Sequence, residues 1–285
     1  MAQPLRFGIC TDQNLPWPTL VERWQYFEQL GFDSIWDCEH YIQPSRPTGP
    51  YFEGWTLLAG LAARTERIRI GVLVSCNTFR HPALLAKEAV TVDHISNGRL
   101  ELGLGAGWYR PEHEQYGIPF PANAELVGRF TEEVEVIDAL LRHETVSYAG
   151  QYYQLRDASF LPGPIQRPRP PLTLGAHGPK MLGIVARHAD AWNSFGTLDE
   201  MRERNAILDD HCAKIGRDPG TIRRSLYGWA AMLPYDPWAS VEAFQEVVGR
   251  YREVGVDEFI IDQPPVEQFG VVERVAAEVL PKLRG

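Results

Sequence analysis

Cysteine is scarce in this 285-residue chain: four residues, at positions 10, 38, 76 and 212, with no C-x-x-C pair and no zinc-like spacing. No disulfide framework can be read from them, and they read as reduced thiols. Positive charge is also short, with 28 Lys and Arg against 37 Asp and Glu, a net charge of −9. That balance argues against nucleic acid, which needs a basic face, yet leaves room for an anionic small ligand held by a local positive site. Apolar residues nowhere run for the roughly 20 positions that span a bilayer. The opening MAQPLRFGIC carries an Arg inside a short apolar run and does not read as a signal peptide, so the expected location is cytoplasmic. Missing too are a G-x-S-x-G nucleophile elbow and an H-E-x-x-H or H-x-H metal element. Asp37, Glu39, His40, His81, His113 and His177 are thus a scattered set with no local metal-ligand cluster.

What is present is an ordinary globular composition, 44% hydrophobic and 23% charged. The chain is long enough to bury roughly three quarters of its unfolded surface. α/β barrels of about 250 residues routinely fold as one unit, and residues 1–285 read as a single domain.

Short apolar or β-branched runs alternate with longer helical patterns, the signature of βα units around a parallel sheet. Strands are read at Leu5–Cys10, Ser34–Cys38, Ile68–Cys76, Leu100–Gly105, Leu172–Gly175, Ala191–Phe195, Ile222–Gly228 and Glu258–Asp262. The intervening helices are Pro18–Leu30, Glu53–Arg64, Pro82–Ile95, Glu125–Leu141, Lys180–His188, Glu200–Ile215, Val241–Val254 and Val266–Leu283. Phe130, Val134, Ile137 and Leu141 line one stripe, with Asn123 as the expected N-cap. The rhythm breaks only over Glu144–Pro170, where a hairpin pattern (Thr145–Leu155) precedes prolines at 162, 164, 168, 170 and 171. Eight βα units in this length predict an α/β fold, a (β/α)₈ TIM barrel with an excursion between strands four and five.

In such barrels the chemistry sits at the C-terminal ends of the strands. That rule gathers Thr11, Glu39 and His40, the thiols of Cys10, Cys38 and Cys76, and the segments 103–117 and 175–180. In Gly175-Ala-His-Gly-Pro-Lys180, Pro179 suits the first helical position. The N–H groups of His177, Gly178 and Lys180 would then face an anion at the helix start; the alternative is a turn that needs Gly for its angles. Gly103, Gly105 and Gly107 fail the dinucleotide spacing, since Trp108 and Arg110 stand where a third Gly belongs. They suggest a strand closely approached by a flat ligand, with Trp108 as a wall. His40 is a candidate general acid or base, and a lone structural His is the competing reading. His113 is expected to face solvent, and the three mouth cysteines to fill the rim as small apolar groups.

Taken together, Arg80–Asp93, Ser96–Arg99 and Gly103–Trp108 resemble the luciferase-like monooxygenases, particularly their coenzyme F420-associated branch. Pro171–Gly178 followed by Ala186–Asn193 matches a second block of that family, and Leu5–Gly8 and Asp33–Trp36 with His40 agree with its first two strands. The resemblance implies a flavin or deazaflavin across the barrel mouth. Gly175, Ala176, His177 and Gly178 would hold its phosphate. Val74, Ser75 and Cys76, where the family often has a non-proline cis peptide, would back the ring, with Gly105, Ala106, Gly107 and Trp108 alongside. His40 matches a position near the reactive ring face, and Thr11, Glu39, Phe79 and Trp108 are expected around the substrate. Trp108 stands where some F420 members carry Glu, so no carboxylate is available there for proton transfer. The expected cofactor is coenzyme F420, exchanging a hydride with a small organic substrate. The alternatives are FMN in an oxygen-dependent monooxygenase and a non-catalytic flavin-binding relative. Expected partners are a small-molecule substrate, a separate cofactor reductase and a second copy of the chain in a homodimer.

Overall fold

The computed structural model describes residues 4–284. Among the described residues eleven strands form: β1 Arg6–Cys10, β2 Ser34–Asp37, β3 Arg69–Val72, β4 Ser75–Cys76, β5 Leu100–Gly105, β6 Thr145–Ala149, β7 Gln154–Ser159, β8 Leu172–Gly175, β9 Ala191–Ser194, β10 Arg223–Gly228 and β11 Glu258–Asp262. All but β6 and β7 pair in parallel in the order β3-β2-β1-β11-β10-β9-β8-β5-β4, and a further β3–β5 pairing closes the ring. With β4 as a short continuation of β3, this is an eight-membered closed parallel barrel, the (β/α)₈ fold expected from the alternation.

The helices around it are α1 Trp17–Gln29, α2 Gly54–Ala62, α3 Pro82–Ile95, α4 Arg110–Tyr116, α5 Asn123–Arg142, α6 Pro179–His188, α7 Leu198–Lys214, α8 Val241–Glu253, α9 Phe269–Arg274 and α10 Leu280–Arg284. Their apolar stripes meet the outward faces of the strands in one continuous core. On α5, Leu126, Phe130, Val134, Ile137 and Leu141 are buried, each worth roughly 1.5–3 kcal/mol of burial. Helix starts are well formed where the sequence supplies an acceptor. Glu53 accepts from the Trp55 and Thr56 N–H groups, and Thr197 and Glu200 make a reciprocal capping box.

Inside the barrel large and small residues alternate. Trp36 is fully buried there with Cys10, Leu73 and Ile260. Its ring occupies the space a side chain at Gly71 would need: a Cβ on that glycine would stand 2.5 Å from the indole. Deeper, Arg6 and Arg69 both reach Glu101, at 2.7 and 2.5 Å, and Arg6 also faces Glu258 at 3.5 Å.

Four sequence readings are corrected. The run read as one strand over Ile68–Cys76 is broken by a cis peptide at Leu73–Val74. Asn123 is the first helical residue and Ala122 the cap, without a side-chain bond. The segment after β5, read as loop, contains α4, with Pro111 in its first turn. The final helix is not continuous: a 3₁₀ turn at Val266–Gln268, α9, a π-helical turn at Val275–Val279 and α10 follow one another.

The excursion between β5 and β8 contains the expected hairpin, β6 with β7 antiparallel. Glu132 of α5 fastens its turn by accepting from the Gln151, Tyr152 and Tyr153 N–H groups. The Pro-rich stretch is tied down by Asp93, which accepts from the Ile165 and Gln166 N–H groups. Among the described residues no helix is long and apolar enough to cross a membrane.

Candidate active site

At the C-terminal end of the barrel, His40 lies three residues beyond β2 and is partly buried. Its Nδ1 lies 2.8 Å from the carboxylate of Glu112. Glu112 is itself 1% exposed and accepts at its other oxygen from the Tyr41 N–H at 2.9 Å. A carboxylate can only accept there, so Nδ1 carries a hydrogen toward Glu112 and Nε2 is the nitrogen left for chemistry. Trp108 and Tyr109 meet the imidazole edge-on, with ring centroids 5.8 and 6.0 Å away. The result is an oriented histidine in a partly dry, aromatic setting, able to take or give one proton.

Glu112 escaped the sequence reading because Pro111-Glu-His-Glu-Gln looks like a solvated polar stretch. His113, expected in solvent, is fully buried. Its Nδ1 donates to the Tyr109 carbonyl at 2.9 Å, which leaves Nε2 to accept from Thr78 Oγ1 at 2.6 Å. It packs between Phe79 and Phe120. α4 therefore turns one residue inward to hold the loop and its neighbour toward His40.

Across the mouth stands the start of α6. Gly178 is its N-cap and Pro179 its first residue, and the space beside Gly178 is open: an added Cβ would meet nothing within 4 Å. The Ala176 N–H is spent on the Asn193 carbonyl, so the free donors begin at His177. Ser194 Oγ accepts from Arg204 at 3.2 Å and lies 3.0 Å from His177 Nδ1. Either group can be the donor in that bond, and the neutral imidazole keeps one N–H whichever tautomer forms. The surroundings of His177, and then Arg204, hold its pKa down at about 4, against a smaller opposite pull from Glu200. His177 thus offers a neutral N–H, and the positive charge near the turn comes from Arg204 and Lys180.

Aromatic rings join the two ends. Trp108 faces Trp229 at 6.5 Å, Trp229 faces Phe195 at 5.6 Å, and Phe195 faces His177 at 4.5 Å. The loop bearing Trp229 is anchored by Asp262, which accepts from the Ala230 N–H at 3.0 Å and the Tyr227 hydroxyl at 2.7 Å. Val74 follows the cis peptide beyond β3. Its methyl groups fill the space over Gly105 and Gly175, where an added Cβ would come within 2.5 and 3.0 Å. The glycines of β5 and β8 thus make room first for the chain's own Val74 and for the Val72 carbonyl above Gly103, and not directly for a ligand. This revises the expectation drawn from Gly103, Gly105 and Gly107.

Other expected site residues belong to the scaffold. Thr11 is buried, donating to the Trp36 carbonyl and accepting from Trp24 Nε1. Glu39 accepts from the Cys76 N–H and pairs with Arg80 at 2.6 Å; burial pushes it up to about 7 despite Arg80. Ser75 accepts from Trp55 Nε1. The Cys76 thiol lies 3.0 Å from Thr78 Oγ1, and burial pushes it up to about 12, which opposes a nucleophilic role. Cys10 and Cys38 are free thiols with sulfurs 3.5 Å apart. Phe79 packs on Tyr41 at 4.6 Å, at the rim beside His40. Among the described residues no cluster of three or more His, Cys, Asp or Glu is arranged to hold a metal. A cavity of about 350 Å³ opens at the N-terminal end of the barrel. Its Arg6 and Arg69 are spent on Glu101 and its Glu28 on three backbone N–H groups. It lies at the wrong end of the strands for chemistry in this fold.

The model of the luciferase-like monooxygenase family matches residues 5–255. The chain belongs to that family. Within it, an "F420-dependent glucose-6-phosphate dehydrogenase" of Microbacterium testaceum is 33% identical over an alignment of 338 positions, covering all of this chain and 99% of that protein. A "phthiodiolone/phenolphthiodiolone dimycocerosates ketoreductase" of Mycobacterium bovis is 32% identical over 246 positions, with 76% of this chain and 63% of that protein covered. Among solved structures, an "F420-dependent secondary alcohol dehydrogenase in complex with an F420-acetone adduct" superposes with a TM-score of 0.85 at 18% identity, over 99% of this chain and 100% of that one. The last is a likeness of fold.

Proposed function

We propose that this family member is an F420-dependent oxidoreductase that moves a hydride between the deazaflavin and a small carbonyl or alcohol substrate. The observation that carries the reading is the pairing, in one barrel mouth, of an oriented His40–Glu112 dyad with an open anion-binding helix start at α6. The relatives named for F420, matched along nine tenths or more of the chain, support F420 over FMN.

The residues present fit such a cofactor. Its phosphate would sit on the N–H groups of His177, Gly178 and Lys180, where the helix dipole adds roughly 0.3–1 kcal/mol. Its flat ring would lie between Val74 and the aromatic arc, close to His40. When bound, F420 supplies or takes up the hydride. Everything else falls to the chain. His40 Nε2 gives a proton to the substrate oxygen as a carbonyl is reduced, or removes it as an alcohol is oxidised. Glu112 holds the ring in the orientation that presents Nε2. Trp108, Tyr109 and Trp229 exclude water from the reacting atoms.

Replacing His40 by Gln tests this. The reading expects the rate of F420 turnover to fall by about 10²-fold or more, with F420 affinity held within about twofold. A variant that turns over as fast as the wild type would overturn the proton-transfer role.

A further inference from the structure

The charged side chains around the mouth are unevenly distributed. The loops that surround His40, residues 11–16, 38–53, 77–81 and 106–122, contain three cations, Arg46, Arg80 and Arg110. Each is engaged. Arg46 pairs with Asp12 at 3.1 Å; Arg80 is shared among Glu39, Glu53 and Glu88; Arg110 lies over the Phe120 ring at 4.5 Å. The loops on the far side, 229–240 and 263–268, contain no Lys or Arg at all. The nearby carboxylates are engaged too: Asp12, just after β1, with Arg46, Glu112 of α4 with His40 and the Tyr41 N–H, and Asp262 at the end of β11 with Tyr227 and the Ala230 N–H. At the α6 turn stand Lys180 and Arg204, the latter donating to the Phe195 carbonyl and Ser194 Oγ and paired with Glu200, and the cofactor phosphate occupies that turn in the reading above.

Apolar surface is plentiful where cations are missing. Trp108 is 60% exposed, Tyr116 54%, Phe52 45% and Met232 38%. Phe52 is strapped to the loop after β1 by a pair of bonds with Gln13, Tyr116 stacks on Tyr41 beside His40, and Met232 follows Trp229 in the loop after β10. Large side chains left open around a concave mouth mark a surface that a ligand covers.

We infer that the substrate is an uncharged ketone or secondary alcohol with an apolar body, and not a phosphorylated or otherwise anionic compound. The inference rests on the F420 reading for its chemistry. In the reducing direction the carbonyl carbon gains a hydride and its oxygen gains the His40 proton. The two electrons come from the reduced deazaflavin, which is oxidised. A phosphomonoester at the same place would have to take Arg46 from Asp12 or Arg110 from Phe120. The alignment with the sugar-phosphate relative runs to 338 positions against 285 residues here, so part of that protein has no counterpart in this chain.

Calorimetric titration of the protein saturated with F420 tests the inference, using acetophenone, cyclohexanone and glucose 6-phosphate as probes. The ketones should bind, with glucose 6-phosphate at least about tenfold weaker, and Phe52→Ala should weaken acetophenone by about fivefold while F420 affinity is unchanged. Glucose 6-phosphate binding as tightly as either ketone overturns the proposal, as does F420 binding normally with neither ketone bound. If F420 itself fails to bind, the cofactor reading fails first, and the substrate inference falls with it.

Discussion

Glu112 does its work through another residue, and its geometry separates two roles. One oxygen meets His40 Nδ1 and the other the Tyr41 N–H, so an amide at this position keeps the shape but only one of the two acceptors. Glu112→Gln should therefore fold, bind F420 as the parent does, and lose about tenfold or more in kcat with little change in KM; Glu112→Asp should recover part of the loss. A loss confined to KM would assign the residue to binding instead. Gly105 makes a second residue-scale case. An added methyl there presses on Val74 at 2.5 Å, so Gly105→Ala should destabilise by about 1–3 kcal/mol in thermal denaturation. Pairing it with Val74→Ala should return most of that stability, because the clash is with the end of one side chain. No rescue would mean that the backbone, and not Val74, sets the need for glycine.

At the scale of elements, what was legible in the sequence follows from how local each signal is. The α6 turn was readable because Gly178, Pro179 and the strand before them are contiguous, and α3 was readable to the residue because Pro82 opens it and Asn97-Gly98, both at positive φ, close it. The break after β3 was not legible in the residues themselves, and only the family resemblance pointed to a cis peptide near Val74. Ile68–Cys76 is apolar throughout, and the reason the chain departs from the strand lies on β5 and β8, at the glycines that admit Val74. α4 was missed for a similar reason: His113 is polar in sequence, and only the Thr78, Phe79 and Phe120 surroundings make it a core residue. The α6 start also carries a direct prediction. His177→Asp replaces a neutral donor with a carboxylate beside the anion and should weaken F420 binding by about tenfold or more in a fluorescence titration. Since His177 is held neutral down to about pH 4, wild-type affinity should not follow its titration between pH 6 and 8. A loss of affinity centred near pH 6.5 would contradict that.

The whole molecule places several carboxyl groups in dry surroundings. Burial raises Glu258 and Glu39 to about 7, partly offset by Arg6 and Arg80 respectively. It raises Glu133 to about 8, against the pull of Asn77 and Arg80. A carboxyl whose folded pKa exceeds its unfolded value binds more protons in the native state. Its contribution is full below the unfolded value near 4.5 and is lost as pH rises through 7 to 8. Carboxylates shifted the other way, such as Glu101 beside Arg6 and Arg69, are ionised in both states across that window and do not offset the loss. Thermal stability should thus decline from pH 6 to 8.5, and Glu133→Gln should flatten the decline by an amount on the order of a few kcal/mol. A profile unchanged by that substitution would show Glu133 ionised at no cost.

The barrel, the family and the mouth meet in one claim, that the open α6 turn and the wall formed by Val74 and the aromatic arc are built for F420. Titration of the cofactor-free protein with F420 and with FMN, side by side, tests it most directly. The account predicts saturable F420 binding at least about tenfold tighter than FMN. FMN binding as tightly as F420, or no F420 binding at all, would contradict it.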